Sequence, residues 1–362
     1  MSASSRPVRI LYVAYPLLPV SEDSCGGAEQ MLATLEREMS CRGHRTTVAA
    51  CAGSRVAGEL LPTGTSARQP DRLELSEREQ RELLLRFLAE RQRSPQRFDL
   101  VHDKSGTFFQ YAAQVAAPVL ATLHLPRSFY PDRAFQNLPP NLFLNCVSRA
   151  QVQAFAGVEQ VIGFVSNGIR ISEFPLRRGR GEYLLWLGRI CEEKGPHVAI
   201  EVAKRAELPL VIAGEVYPFS YHQQYFEQEI RPRLEAGRVS YFGRANQSQK
   251  LELLAGARAL LVPSLVDETS SLVSMEAMAC GVPVVALRRG ALPEVVANGV
   301  TGFVVEDVAQ MAQAIRRVEE IDPAVCRERV ERNYSAERMG EEYECLYTRL
   351  IESAAATKQQ VA

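Results

Sequence analysis

Two carboxylates stand eight residues apart in the run Glu268-Thr269-Ser270-Ser271-Leu272-Val273-Ser274-Met275-Glu276, which continues into AMACGVPVV. Leu272, Met275 and Ala279 recur at helical spacing, Gly281 ends the run, and Pro283 opens an apolar, strand-like stretch. Ser270 and Ser271 therefore fall where a loop turns into a helix. The free N–H groups of a helix start, with the positive end of its dipole, suit an anion such as phosphate. Glu268 is expected at the loop mouth and Glu276 more than one turn inside the helix. Carboxylates beside a phosphate site are useful for holding something hydroxyl-rich attached to that phosphate, and a nucleotide sugar fits.

Other local features carry chemistry of the same kind. Cys25-Gly26-Gly27-Ala28-Glu29 follows the first strand-like run and opens a helix, and its paired glycines let backbone N–H groups approach a phosphate. An ordinary glycine-rich turn accounts for that motif as well. Arg189 and Lys194, in Gly188-Arg189-Ile190-Cys191-Glu192-Glu193-Lys194-Gly195, bracket a short loop at a strand's carboxyl end, where two cations neutralise a diphosphate. Surface pairing with Glu192 and Glu193 is the alternative. His124 closes a buried strand in Ala121-Thr-Leu-His-Leu-Pro126, a structural position or a catalytic one. Asn167-Gly168-Ile169 reads as a junction or a turn, and Glu294 in Gly290-Ala291-Leu-Pro-Glu294 as a complement to a helix start.

These residues need elements to position them. Strand-like runs at 8–14, 46–52, 98–102, 118–123, 142–147 and 160–166, then at 182–187, 209–213, 239–242, 258–262, 283–286 and 302–305, alternate with helical stretches. Helices are expected near 76–94, 196–206, 222–235, 247–255, 271–280, 291–297 and 307–319, whereas 53–75 reads as a polar loop. That alternation predicts an α/β chain of two Rossmann-like, doubly wound parallel sheets, with ligands beyond the carboxyl ends of the strands and a cleft between the domains. The break is expected within Ile169–Arg180, giving domains 1–172 and 173–334. Leu84, Leu85 and Leu88 give the 76–94 helix a core-facing side, and the arginines among its glutamates read as a solvated face rather than a membrane-binding one. A last helix, 335–352, puts Met339, Tyr343, Leu346, Tyr347 and Leu350 on one apolar face that asks to be docked.

Bulk properties exclude several function classes. The chain's 362 residues suit two cores, and its formal net charge of -1 gives no electrostatic argument for nucleic acid. Eight scattered cysteines without a CxxC pair suggest free, mostly buried thiols in a reducing compartment. No apolar run reaches the length of a membrane span. Arg6 and Arg9 before Ile10–Val20 imitate a signal peptide, but two prolines interrupt the run, so it reads as a first strand in a cytoplasmic protein.

In this order and spacing the pieces resemble the retaining glycosyltransferases of family four, which have the GT-B fold and a Glu-x7-Glu motif. The resemblance is carried by GGAE at 26–29, TLH at 122–124, SNGI at 166–169, GRICEEKG at 188–195, Glu268 with Glu276, EAMACGVPVVA at 276–286 and GVTGFVV at 299–305. It implies that Arg189 and Lys194 hold the donor diphosphate, Glu276 the ribose hydroxyls, and Glu268 the hydroxyls of the donor sugar. Backbone N–H groups of Ser271, Leu272 and Val273 would contact phosphate or sugar, Gly26 and Gly27 would approach the diphosphate from the other domain, and His124 would line the sugar and acceptor side. The last helix would cross back onto the N-terminal domain. A UDP-sugar donor leads, with a GDP-sugar next, and base recognition falls near Phe242–Ala245. The acceptor is a hydroxyl on a glycan, a lipid-linked sugar or a small metabolite. With no Asp-x-Asp in the chain, no metal or cofactor is expected, the nucleotide sugar being a substrate. The rival readings are an epimerase or phosphorylase of the same fold and a non-catalytic sugar-nucleotide-binding subunit. One departure stands out: relatives commonly have EGFG or EPFG where this chain has Glu268-Thr269-Ser270-Ser271, a difference that bears on the donor sugar.

Overall fold

The computed structural model describes residues 6–24, 26–67, 70–177, 179 and 181–361. Cys25, Arg178 and Arg180, which the sequence readings above include, lie outside the described residues. Residues 1–168 with 336–362 form one unit and 169–335 the other.

The first unit holds strands β1 (Arg9–Val13), β2 (Arg45–Ala50), β3 (Glu59–Pro62), β4 (Leu100–Asp103), β5 (Val119–Thr122), β6 (Leu142–Cys146) and β7 (Val161–Phe164). They lie in the order β3-β2-β1-β4-β5-β6-β7, every pair parallel. Helices α1 (Gly27–Cys41), α2 (Pro70–Arg91) and α3 (Arg149–Ala154) follow in chain order. The second unit holds β8 (Tyr183–Leu187), β9 (Leu210–Ala213), β10 (Val239–Gly243), β11 (Ala257–Val262), β12 (Val284–Leu287) and β13 (Gly302–Val305), in the parallel order β10-β9-β8-β11-β12-β13. Its helices are α4 (Pro196–Ala206), α5 (Ser220–Tyr225), α6 (Gln247–Gly256), α7 (Leu272–Ala279), α8 (Leu292–Val295), α9 (Val308–Ile315) and α10 (Pro323–Asn333). The final helix, α11 (Ala336–Val361), belongs to the first unit.

Strands β4, β5 and β12 are buried at every position, as parallel strands covered on both faces must be. This is why they read as unbroken apolar runs. The chain leaves the first unit four residues earlier than the sequence pattern places the break. Ile169 N–H donates to Tyr334 O at 2.9 Å and Ile169 forms a parallel bridge with Ser335, so 169–172 is fastened into the second unit.

Helix α11 is docked along the whole face that the sequence marks, with Met339, Tyr343, Leu346, Tyr347 and Leu350 all buried. A polar seam fixes its register. Tyr347 Oη lies 2.6 Å from His102 Nδ1 and 3.2 Å from Tyr12 Oη, while Thr122 Oγ1 lies 2.7 Å from His102 Nε2 and 3.1 Å from Tyr343 Oη. Tyr12, His102 and Thr122 come from β1, β4 and β5, three successive neighbours in the sheet. Burial holds His102 well below the ordinary histidine range and pushes Tyr347 up, so the seam is neutral.

Two readings need correction. The stretch 53–75 is not a loop throughout, because it contains β3 and the start of α2. Among the described residues β3 pairs with β2 alone, and its four residues, Glu59–Pro62, hold just two leucines, too short a run to announce a strand. The expected helix at 222–235 is broken up: α5 passes into a π-helical stretch, Phe226–Ile230, and then a 3-10 turn, Arg231–Arg233, which contains Pro232. Leu84 of α2 is fully buried, with Leu85 and Leu88 packed against the same core. Among the described residues no helix is long and apolar enough to cross a membrane.

Candidate functional site

The second sheet reverses its winding between β8 and β11, because the chain steps outward to β10 and then returns to the other side of β8. At such a switch point the loops leaving the two strands diverge and open a crevice for ligands. Lys194 lies on the loop after β8 and Glu268 on the loop after β11.

These loops are tied together at close range. Gly195 has φ +66°, and a Cβ there would sit 2.2 Å from Pro263 O, so only glycine lets the loops meet. Leu265 N–H donates to Glu193 O at 2.8 Å, and Trp186 Nε1–H donates to Lys194 O at 3.2 Å. From this frame Lys194 Nζ reaches both oxygens of Glu268, at 2.6 and 2.7 Å. Ser264 Oγ–H also donates to the Glu268 carboxylate. Behind it, Ala291 N–H donates to Glu268 O at 2.7 Å, and a Cβ on Gly290 would lie 2.2 Å from that same oxygen. The Gly290-Ala291 motif thus serves to seat Glu268.

Helix α7 starts at Leu272, four residues after Glu268. Ser271 is its N-cap, but the Ser271 hydroxyl pairs with Ser274 Oγ at 2.7 Å and makes no capping bond to the backbone. The N–H groups of Leu272 and Val273, in the first turn, have no carbonyl four residues back within the helix to receive them. Ser270 Oγ is buried and has no hydrogen-bond partner among the described residues. Such a hydroxyl forfeits the bonds it makes in water unless a ligand supplies them.

Glu276 lies one turn further in, nearly enclosed, with Lys250 Nζ of α6 at 2.5 Å from its carboxylate. Lys250 also sits 5.6 Å over the Phe174 ring. Each glutamate of the site thus has a lysine of its own. Lys194 serves Glu268, Lys250 serves Glu276, and the exposed Arg189 places its guanidinium 5.3 Å over the Tyr217 ring. The alternative considered above, pairing of Arg189 and Lys194 with Glu192 and Glu193, is not among the salt bridges of the described residues, where Lys194 goes to Glu268. Phe242, at the end of β10, is exposed.

Lys250 was missed because helical periodicity marks apolar positions and says nothing of which charge turns inward. Scarcity was the available signal: five of the 42 basic residues are lysines, at 104, 194, 204, 250 and 358. Two of these five hold the carboxylates of the site.

In the first unit the winding reverses between β1 and β4. Gly26 ends the loop after β1 as the N-cap of α1, and Gly27 is the first residue of that helix. A Cβ on Gly26 would fall 1.8 Å from Glu29 Oε2, so the buried Glu29 carboxylate folds back against the helix start. The dipole there already faces an acidic group, and an incoming phosphate would have to move it. His124 lies two residues beyond β5, where burial and then the Lys104 charge hold its imidazole well below the ordinary histidine range. It is a neutral hydrogen-bonding ring at physiological pH.

Lys104, immediately after β4, is a further residue that sequence reasoning missed. It is buried, its Nζ is 5.3 Å over the Tyr343 ring, and burial pulls its ammonium down from 10.5 to about 7, against the adjacent Asp103 carboxylate. The unfolded chain keeps that proton up to 10.5 while the folded chain releases it near 7. Stability should therefore rise as pH increases from 7 towards 10.5, and fall as pH drops back through that window. Urea midpoints across it should climb for the native chain and flatten in Lys104→Met.

Comparison with known proteins follows the same division. Residues 169–337, just under half of the chain, match the family model described as "Glycosyl transferases group 1". The glycogen synthase of Mycobacterium tuberculosis is 34% identical over 180 residues, which is 46% of this chain and 42% of that protein. The D-inositol 3-phosphate glycosyltransferase of Mycolicibacterium smegmatis is 34% identical over 147 residues, 38% of this chain and 33% of that protein. The chain thus spans less than half the length of these curated relatives. Among solved structures, sucrose-phosphate synthase from Thermosynechococcus elongatus superposes with a TM-score of 0.76 at 19% identity, over 96% of this chain and all of that one. Anabaena HepE, solved in complex with UDP and glucose, gives a TM-score of 0.74 at 16% identity, over 94% of this chain and all of that one.

The fold is GT-B.

Within this GT-B chain the family match begins at Ile169, the residue at which the structure opens the second unit, so Lys194, Lys250, Glu268 and Glu276 all fall inside it. Gly26, Gly27, Lys104 and His124 fall outside it.

Proposed function

We propose that this chain transfers a sugar from a nucleoside-diphosphate sugar to a hydroxyl acceptor, with retention of anomeric configuration and no divalent ion on the diphosphate. The observation that carries this reading is the Lys194–Glu268 pair at the switch point of the second sheet, beside the free start of α7. A cation, a row of N–H groups and a carboxylate are what a diphosphate attached to a polyhydroxyl ring requires. Lys194 and Arg189 would hold the diphosphate, Glu268 the sugar hydroxyls and Glu276 the ribose. Gly26 and Gly27 would add N–H groups, His124 would face sugar and acceptor, and the first unit would bind the acceptor. Arginine and lysine take the place that a metal and its carboxylates fill in other nucleotide-sugar enzymes.

In the reaction, the bond between the anomeric carbon and the phosphate oxygen breaks while a bond to the acceptor oxygen forms on the same face. The acceptor's proton passes to the departing phosphate. Negative charge grows on the diphosphate, and fixed cations and helix N–H groups oppose it without reorganising. No protein nucleophile is needed. A UDP-sugar is the leading donor, in keeping with the UDP found in the HepE structure, and a GDP-sugar is next.

Thermal-shift titration with UDP, GDP and ADP tests the binding step, since a ligand of the folded state raises Tm with its concentration. Turnover of the responding nucleotide's sugars, in chelator and with no added magnesium or manganese, tests the chemistry. Loss of turnover in Glu268→Ala and Arg189→Ala separates an enzyme from a silent binder. Free sugar released without acceptor would instead indicate an epimerase.

Ser270 should set donor choice. In Ser270→Gly the extra hydroxyl and its bulk are gone, so KM for the native donor should rise about tenfold and sugars of different equatorial or axial pattern should gain relative kcat/KM. An unchanged donor ranking would remove Ser270 from the site.

A further inference from the structure

The loop that carries Lys194 bears a second set of side chains that the proposed reaction does not use. Cys191 and Glu193 lie on it and His222 on α5, and one atom from each (a thiol sulfur, a carboxylate oxygen and a ring nitrogen) lies within 4.8 Å of the other two. Cys191 is fully buried and His222 is 1% exposed. Both ring nitrogens of His222 are buried, and neither has a hydrogen-bond partner among the described residues. Buried imidazoles in proteins normally satisfy at least one nitrogen. Packing holds this one instead: the rings of Tyr217, Phe219 and Tyr221 surround it at centroid distances of 6.1, 5.5 and 4.2 Å.

We propose that Cys191, Glu193 and His222 form a binding site for a zinc-like divalent transition ion. Thiolate and imidazole favour zinc, cobalt or cadmium over magnesium or manganese. Zinc bond lengths give tetrahedral edges of about 3.3–3.8 Å, so atoms within 4.8 Å of one another have to draw in by roughly an ångström at most. Binding ionises the thiol, whose proton goes to solvent, and thiolate plus carboxylate then balance the ion's two charges. Arg189 is the nearby opposing cation, and that neutralisation is what lets the ion sit beside it. Three protein ligands leave a fourth position for water. The ion fastens the 188–195 loop to α5 and takes no part in breaking the sugar–phosphate bond. The site therefore stands apart from the transfer reading, and zinc binding by a chain that turns over no nucleotide sugar would leave it intact.

The test is titration of the full chain, reduced and freed of metal, with zinc and cobalt chlorides. One ion per chain is expected, with a thiolate-to-cobalt charge-transfer absorption and a raised Tm. Cys191→Ser should abolish the absorption, and both it and His222→Gln should weaken zinc binding roughly a hundredfold or more. Cys41→Ser and Cys345→Ser, at the exposed cysteines, should leave both intact. Circular dichroism identifies any variant that fails to fold, and Cys191→Ser, the smaller change, decides alone if His222→Gln does. Absence of zinc binding at micromolar concentration, or a cobalt absorption that survives Cys191→Ser, would overturn the proposal.

Discussion

Lys194→Ala should lower kcat about a hundredfold to a thousandfold, the loss that follows removal of one fixed group opposing transition-state charge. The ground state suffers as well. Glu268 is left with Ser264 alone among its side-chain partners, in a site where its side chain is 10% exposed. Removing one member of a buried pair costs about 3–5 kcal/mol, and the 34% exposure of the Lys194 side chain brings the expected destabilisation down to about 1–3 kcal/mol. A double variant separates the two effects. In Lys194→Met with Glu268→Gln no charge is stranded, so Tm should return towards the native value while turnover stays lost. Turnover that recovers with Tm would mean that the pair is structural, and Lys194 would leave the mechanism.

The second large effect lies at Lys250. Glu276 is 7% exposed at its side chain and Lys250 16%, so this pair is the more enclosed of the two. Lys250→Met should cost about 3–5 kcal/mol, because it leaves an uncompensated carboxylate inside the second unit. Denaturant midpoints should fall accordingly and recover when Glu276→Gln is added. Nucleotide binding gives an independent readout. If Glu276 grips the ribose, the stable double variant should show a smaller Tm rise with nucleotide than the native chain, although its fold is restored. An equal rise in both would place the ribose elsewhere.

The sequence showed most where chemistry and local geometry coincide. Twelve of the thirteen strands read as strand-like runs, the central ones because both their faces are covered, and the missing one, β3, is a four-residue edge strand with no buried position. α10 escaped for a similar reason, having only Cys326 and Val330 as a thin buried stripe on a charged helix. Glu268, Glu276 and Lys194 were visible from spacing around a helix start. Their pairing was not, since Lys250 meets Glu276 from 26 residues away in the chain. Ser270 shows the opposite case: a departure from the pattern of relatives pointed to it, and the structure leaves its hydroxyl buried without a partner among the described residues. Lys104 and the Cys191–Glu193–His222 grouping needed coordinates, because burial and proximity, not composition, give them their chemistry.

The second unit is one unbroken stretch, 169–335, whereas the first is completed only by α11, which follows it. On the ribosome the order of completion is therefore inverted. All six strands of the later unit emerge before Tyr343 and Tyr347 arrive to close over Tyr12, His102 and Thr122 of the earlier one. At about 5–20 residues per second the β1–β6 surface waits roughly ten to forty seconds for its cover. During synthesis it is the amino-terminal half, made first and finished last, that most needs a chaperone.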